Sequence, residues 1–175
     1  MISQPNCHVH HLHAANSWMT TRGTDAILQV LSINSSLHTL DVKGNNIKNG
    51  KQLGVVLKNH AVLEWLVLNV KCLGDTGVHD YLHAFTDNHV LTKLGLGTNM
   101  IGVAGIMSIL SILPQLTQLS LEGSKFGDDG AKLIPDKLKG NTRLISFSCH
   151  SCSLTHTGNN VLWIPCIKIQ PWEFF

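Results

Sequence analysis

The chain has 175 residues, enough for one domain, and its 43% hydrophobic and 14% charged residues exclude intrinsic disorder. A formal net charge of +2 is too small to indicate nucleic-acid binding by charge alone. No apolar run approaches the roughly 20 residues that span a bilayer, so the sequence predicts neither a nucleic-acid nor a membrane partner.

The N-terminal segment and the cysteines bear on location. Residues 1–13 are polar and histidine-rich, without the apolar stretch of a secretory signal peptide. The five cysteines are odd in number and unevenly spaced, unlike a disulfide framework. Together these observations predict a reducing, cytoplasmic location.

One phrase, LxxLxLxxNxL, recurs about every 28 residues along the chain. The six copies, numbered here as repeats one to six, start near residues 9, 37, 63, 91, 116 and 144. Apolar and polar residues alternate at LxL, as in Leu40-Asp41-Val42, which predicts a short strand with one buried face. Such fixed-period similarity predicts a stacked array over residues 9–163, after a lead-in of residues 1–8.

A glycine-containing turn and a helical pattern follow each phrase. In repeat three the apolar residues fall at i, i+3, i+4 and i+7: Val78, Tyr81, Leu82 and Phe85. This spacing predicts one face of a helix, with Asp75 and Thr76 as candidate caps. In repeat five Pro135 falls inside the helical pattern and predicts a kink or a shorter helix. Repeats two and four are two or three residues shorter than the others, which predicts shorter helices there.

A glycine recurs four residues after the phrase in five repeats: Gly23, Gly77, Gly105, Gly130 and Gly158. With spacings near 28 residues, this pattern resembles the ribonuclease-inhibitor-like leucine-rich repeat family. The resemblance implies an α/β solenoid, a right-handed arc with a parallel sheet on the concave side and helices on the convex side. It does not imply one function, because members of this family inhibit ribonucleases, activate a GTPase, cap filaments or sense ligands.

The end of the chain departs from the pattern. Residues 164–175 are expected to form a capping tail or a compressed seventh strand. Four aromatic residues crowd this end: Trp163, Trp172, Phe174 and Phe175. A solenoid needs a polar cap at each end. Neither end has an obvious one, which favours two further interpretations: a segment of a longer array, or end-to-end self-association.

Two clusters raise the question of metal chemistry. Cys149 and Cys152 have CxxC spacing, but the repeat explains Cys149 as a buried strand residue and Cys152 as a residue in the asparagine position. The second cluster is N-terminal: Cys7, His8, His10, His11 and His13. The repeat divides it between lead-in and strand, so a polar end cap is favoured and a transition-metal site is the alternative. We therefore predict no resident metal and no cofactor.

The sequence also lacks the motifs of an enzyme. It contains no nucleophile elbow, phosphate-binding loop or paired carboxylates, so we predict no catalytic residue. A solenoid instead offers a broad concave surface for macromolecules.

Alternation in the strands assigns positions 3, 5 and 7 of each phrase to the concave face. The predicted partner-binding residues are Trp65, Val67, Lys93, Asp41, Lys43, Asn69, His11, His13, Gln118 and Glu122. An exposed Trp65 ringed by charge has the composition of an interface anchor, whereas simple stacking on Thr39 and Lys93 is the alternative. Strands five and six contribute mostly small residues to this face.

The sequence thus favours a protein-interaction module that binds a protein partner on its concave face. A GTPase-activating or ribonuclease-inhibitor-like regulator, as the resemblance implies, is one alternative. A structural or sensing segment of a larger receptor is the other.

Overall fold

The computed structural model describes residues 8–45, 50–58, 60–69, 73–83, 85 and 88–162. Six strands form one sheet in chain order: β1 His11–His13, β2 Thr39–Asp41, β3 Trp65–Val67, β4 Lys93–Gly95, β5 Gln118–Ser120 and β6 Ser146–Ser148. All five pairings are parallel, so the predicted single parallel sheet is confirmed. Each strand has three residues, in keeping with the short strands that we predicted.

Helices run between the strands and pack against one another along the array. They are α1 Thr21–Ile33, α2 Gly50–Lys58, α3 Gly74–His83, α4 Val103–Ile112, α5 Gly127–Ala131, α6 Ile134–Leu138 and α7 His156–Leu162, with a 3-10 helix at Leu113–Gln115. This order of strands and helices confirms the predicted α/β solenoid. Among the described residues, no helix has both the length and the apolar character needed to cross a bilayer.

The core lies between the sheet and the helices and continues through all six repeats. Inward-facing strand residues such as Leu40, Leu66, Leu94 and Leu119 are fully or almost fully buried. Each repeat covers the apolar side of its neighbour, which is how a solenoid is stabilised without a single central core.

Two rows of hydrogen bonds join one repeat to the next. In the first row the amide of Asn99 donates to the carbonyls of Leu68 (2.6 Å) and Leu96 (2.9 Å). Asn45 bonds in the same way, and the Cys152 thiol donates to the Leu121 carbonyl (3.1 Å). The predicted structural role of Cys152 in the asparagine position is therefore confirmed.

The second row of hydrogen bonds was not predicted from the sequence. It consists of asparagines three residues before a phrase: Asn34, Asn88 and Asn141. The Asn88 side-chain oxygen accepts from the N–H groups of Val90 (2.9 Å) and Leu91 (3.2 Å), and its amide donates to the Leu57 carbonyl (2.8 Å). In repeat three, His60 holds the equivalent position.

The prediction that Asp75 caps its own helix is wrong, because Asp75 lies inside the first turn of α3. Its carboxylate accepts from the N–H of Gly102 (2.6 Å) in the next repeat, and a Cβ on Gly105 would lie 2.6 Å from the same oxygen. Asp128 accepts from the N–H of Thr155 (2.9 Å) in the same manner. Gly105 thus makes room for a carboxylate from the preceding repeat, and Gly158 does the same for Asp128.

The helix lengths follow the prediction only in part. Repeat five is broken as expected, with α5 and α6 separated just before Pro135, which lies in the first turn of α6. In repeat two, α2 has nine residues against thirteen in α1. In repeat four, α4 has ten residues, fewer than α1 and as many as α3. The 3-10 helix then leads almost directly into β5, so the return loop is short as well.

Several predictions fall outside the described residues. They concern Cys7 of the N-terminal cluster and the tail at residues 163–175 with its aromatic side chains.

Candidate binding face

The sheet register aligns the predicted residues in rows across the concave face. One row follows the pairings His11, Thr39, Trp65, Lys93, Gln118 and Ser146. A second follows His13, Asp41, Val67, Gly95, Ser120 and Ser148. His13 and Asp41 are therefore cross-strand neighbours, as predicted.

Trp65 lies partly exposed in the first row. The Lys93 ammonium lies 5.5 Å from the centroid of its ring, within the range of a cation–π contact. The indole Nε1 is buried and has no hydrogen-bond partner among the described residues. Trp65 thus combines the predicted cross-strand contact with a donor that lacks an acceptor.

Val67 and Asn69 differ from expectation, because their side chains are buried, with 3% and 8% of their surface exposed. The cause is the glycines of the next strand. A Cβ on Gly95 would lie 3.2 Å from a Val67 methyl, and one on Gly97 would lie 3.1 Å from the Asn69 amide nitrogen. The two side chains therefore lie in space that the missing Cβ atoms leave open. The surface they offer to a partner is smaller than the sequence indicated.

A groove of about 580 Å³ opens at the N-terminal part of the face. It is lined by His10, His11, His13, His38, Thr39, Glu64, Trp65 and Lys93. Four of the predicted partner-binding residues thus meet in one groove: His11, His13, Trp65 and Lys93. The other six do not line it: Val67, Asp41, Lys43, Asn69, Gln118 and Glu122.

Three lining residues were missed by the sequence interpretation: His10, His38 and Glu64, at position 2 of their phrases. The N–H groups of His38 and Thr39 both bond to the His10 carbonyl, at 2.8 and 3.0 Å. Those of Glu64 and Trp65 both bond to the His38 carbonyl, at 2.9 and 3.0 Å. The same sharing of one carbonyl by two N–H groups recurs at the strand pairs beyond the groove, and positions 2 and 3 of these phrases both line the groove.

The histidines of the groove contact one another and the backbone. The Nδ1 atoms of His10 and His38 lie 3.3 Å apart, and both approach the Ser36 carbonyl, at 3.1 and 2.7 Å. His11 Nδ1 lies 3.0 Å from the Thr39 hydroxyl. Within the part of the chain that the structure describes, no three His, Cys, Asp or Glu side chains converge on a metal-binding geometry.

His60 lies beneath this cluster, in the second asparagine row. Its side chain is 5% exposed, and neither ring nitrogen has a hydrogen-bond partner among the described residues. Burial is the largest cause that lowers the pKa of His60; the Asn34 backbone opposes this shift, and the nearby His38 lowers the pKa further. The neutral imidazole is therefore favoured at this position.

The C-terminal part of the face is different in character. Ser120 and Ser148 are buried, and Gln118 and Ser146 are partly exposed. Burial raises the pKa of the Cys149 thiol to about 11 and is the main cause that raises the pKa of Cys152 to about 12. Both thiols are free and stay protonated at neutral pH, so they are poor nucleophiles and poor metal ligands.

No model of a known protein family matches the chain. Two curated proteins are similar over 88% of it: NACHT, LRR and PYD domains-containing protein 3 of Bos taurus, at 28% identity, and ribonuclease inhibitor of Sus scrofa, at 27% identity. The chain spans 18% of the length of the first and 42% of the length of the second. Neither relative is named for an enzymatic activity.

Among solved structures, the chain is similar to Leiomodin-1 Actin-Binding Site 2, with a TM-score of 0.57 and 19% identity. The likeness covers 92% of this chain and 83% of that one, and at this identity it bears on the fold alone.

Six strand-and-helix repeats joined by an asparagine ladder define a leucine-rich repeat solenoid. The glycine turns, the spacing near 28 residues and the similarity to ribonuclease inhibitor support the predicted resemblance to the ribonuclease-inhibitor-like family of such proteins.

Proposed function

We propose that this chain is a protein-interaction module that binds a segment of a protein partner in the groove around Trp65. The observation that carries the proposal is Trp65 itself, a partly exposed aromatic ring that lines the groove beside Lys93.

The surroundings of Trp65 suit an anchor residue. The Lys93 contact limits the motion of the ring before any partner arrives, so less conformational entropy is lost on binding. Tryptophan is enriched among the few residues that dominate binding energy, particularly at the centre of an interface. His11 and His13 on one side, and Lys93 on the other, would form its polar surroundings.

We propose binding without catalysis as the activity. The groove is lined by histidines, one carboxylate and one ammonium, and no serine or cysteine nucleophile lines it. The free thiols of Cys149 and Cys152 suit the cytoplasmic location that we propose.

A second candidate is a sensing segment of a larger receptor. It is favoured by the similarity to a bovine protein whose name includes two further domains and of which the chain spans 18%. End-to-end association of the array is compatible with this role, and partner binding in the groove is common to both candidates.

The test compares partner capture by the wild type, Trp65→Ala and Trp18→Ala. Trp18 is a matched control, because its side chain is 93% exposed and does not line the groove. Partners are captured from cytosol of the source cells, and the dissociation constant of the main one is measured by surface plasmon resonance. We expect Trp65→Ala to weaken binding by about 2 kcal/mol, roughly 30-fold.

Trp18→Ala should bind like the wild type. Equal binding by Trp65→Ala and the wild type, with all three proteins folded by circular dichroism, would show that the groove is not the partner site.

A further inference from the structure

Two histidines from adjacent repeats meet at the N-terminal wall of the groove. His10 lies just before β1 and His38 lies just before β2, 28 residues later, and both line the groove. Their Nδ1 atoms are 3.3 Å apart, with ring centroids 5.2 Å apart and ring planes 48° from each other. The pair differs from the cluster that the sequence indicated, because one of its members belongs to repeat two.

A third donor atom completes a triangle with these two nitrogens. The Ser36 carbonyl oxygen lies 3.1 Å from Nδ1 of His10 and 2.7 Å from Nδ1 of His38. The two nitrogens are farther apart than the roughly 2.7–3.2 Å that an N–H donor prefers. The shared carbonyl, and not a bond between the rings, therefore brings the imidazoles together.

The triangle has the dimensions of one face of a transition-metal site. Imidazole nitrogens lie about 2.0–2.1 Å from Zn²⁺, so two of them on a tetrahedral ion are about 3.3 Å apart. The Nδ1 atoms of His10 and His38 already have this separation. The carbonyl oxygen lies closer to His38 than a second ligand would, so a small outward movement of the oxygen would admit the ion. Imidazole is also the commonest side chain among metal ligands.

The backbone holds these three donors in place before any ion binds. The N–H of His38 donates to the His10 carbonyl (2.8 Å), which keeps the two residues side by side. The N–H of Ser36 donates to the side-chain oxygen of Asn34 (3.0 Å), which holds the turn that carries the carbonyl. His10 is exposed and His38 is partly exposed, so an ion can reach them from solvent. Donors that are already positioned lose less conformational entropy when the ion binds.

We propose that His10, His38 and the Ser36 carbonyl form an exchangeable site for a divalent transition-metal ion, with Zn²⁺ as the probe. Among the described residues no third His, Cys, Asp or Glu side chain joins the pair. Structural zinc takes four protein ligands, so this site would bind its ion reversibly and leave the remaining positions to water. The inference is independent of the proposed function, since it concerns an ion and not a protein partner.

A bound ion would link repeat one to repeat two at the wall of the groove. Its two imidazole ligands come from the residues just before β1 and β2, which are neighbouring strands of the sheet. Because the folded chain brings these ligands together, the ion would stabilise the folded state in proportion to its affinity and concentration. Zn²⁺ should therefore raise the melting temperature of the wild type, and it should raise that of His10→Gln much less.

Isothermal titration calorimetry of the tag-free full chain with ZnCl₂ at pH 7.5 measures the affinity directly. His10→Gln and His38→Gln should each weaken binding at least tenfold, because each removes one of two imidazole ligands. The double variant should be little worse than either single variant, since both side chains act on one ion. Affinities equal to that of the wild type for either single variant, with the fold intact by circular dichroism, would overturn the inference.

Two control variants separate this site from other histidines. His79→Gln with His83→Gln removes an exposed pair on α3 whose rings are stacked with centroids 6.3 Å apart. Cys7→Ser with His8→Gln removes the neighbours of His10 along the chain. Both double variants should bind Zn²⁺ like the wild type. A loss from the first as large as that from His10→Gln would mean binding by scattered histidines, and such a loss from the second would assign the ion to the linear cluster. Either result would overturn the inference.

Imidazole ¹⁵N resonances of the unaltered chain identify the ligand atoms, so this measurement holds even if a substitution disturbs the fold. Zn²⁺ should shift the Nδ1 resonances of His10 and His38 together, with one shared dissociation constant. If the shifts fall on other histidines, or on the Nε2 atoms of this pair, the two Nδ1 atoms serve only as hydrogen-bond donors to the Ser36 carbonyl and the metal site is refuted.

Discussion

The concave face has two unlike regions over one shared core. On β1 to β4 it has imidazoles, Trp65 and Lys93 around a groove, whereas β5 and β6 contribute mainly serines and Gln118. Beneath both regions, the inward residues are equally buried and the pairing is parallel throughout. The repeat pattern therefore specifies the core of every unit in the same way. The outward positions are not constrained by it, so their residues differ between the two regions.

The boundary between the two regions lies at Gly95 and Gly97. The side chains of Val67 and Asn69 rest over these glycines, so the face is closed at this point by residues of the preceding strand.

The largest expected effect tests whether the core is indeed shared. Leu66→Ala under the groove and Leu119→Ala under the serine-rich region should each reduce the free energy of unfolding by about 3 kcal/mol. Both leucines are almost fully buried in the same core cluster, so the losses should agree. Urea denaturation measures them. A loss below 1 kcal/mol for only one of them would mean that the regions differ in their core as well as on their face.

The next test concerns the boundary. Gly97→Ala should cost about 2 kcal/mol, because its Cβ would lie 2.8 Å from the backbone carbonyl oxygen of Glu122, which moves little. Gly95→Ala is the matched comparison and should cost less, since its nearest neighbour is a Val67 methyl at 3.2 Å that can shift. Thermal denaturation ranks the two. If Gly95→Ala is the more damaging, the packing of Val67 has been misjudged.

A smaller effect is expected beneath the groove, at His60. His60→Asn should raise stability by about 1 kcal/mol, because a side-chain oxygen there would accept from the backbone as Asn34 and Asn88 do. The substitution should also weaken the pH dependence of the free energy of unfolding. Burial lowers the pKa of His60 in the folded chain, so the unfolded chain binds a proton at a higher pH than the folded chain does. Stability therefore falls as the pH drops from about 6.5 through the pKa of the folded chain.

Urea denaturation of the wild type and His60→Asn at pH 7.5 and pH 5.5 measures both effects. His79→Asn, at an exposed position on α3, is the control and should change neither. A larger loss of stability in acid for His60→Asn than for the wild type would contradict the assignment of His60 as a buried neutral imidazole.

The smallest effect is expected in the helix layer behind the groove. The Tyr81 hydroxyl is buried and has no hydrogen-bond partner among the described residues, while its ring packs 4.9 Å from that of Phe85. Tyr81→Phe keeps the ring contact and removes the polar atom, so stability should stay equal or rise by less than about 1 kcal/mol. A loss of more than that in differential scanning calorimetry would reveal a bond to the hydroxyl.

Much of the fold was determined by the sequence alone. The spacing of Leu40, Leu66, Leu94 and Leu119 within the phrase predicted the inward face, the parallel order and the strand register, all of which the structure has. This was predictable because a strand has a period of two and each repeat must cover the apolar side of its neighbour. The same logic predicted the role of Cys152 and the break at Pro135.

Only the tertiary structure decided how the outward side chains are used. The burial of Val67 depends on a glycine 28 residues later, and the role of Asp75 depends on Gly105 in the following repeat. Likewise, His10 and His38 line the groove although they stand at position 2 of their phrases, which the alternation did not assign to this face. The physical reason is the same in each case. Periodicity within one repeat specifies which side of the strand a residue occupies, whereas its exposure depends on the shape of side chains in the adjacent repeat, which lie close only after the array has stacked.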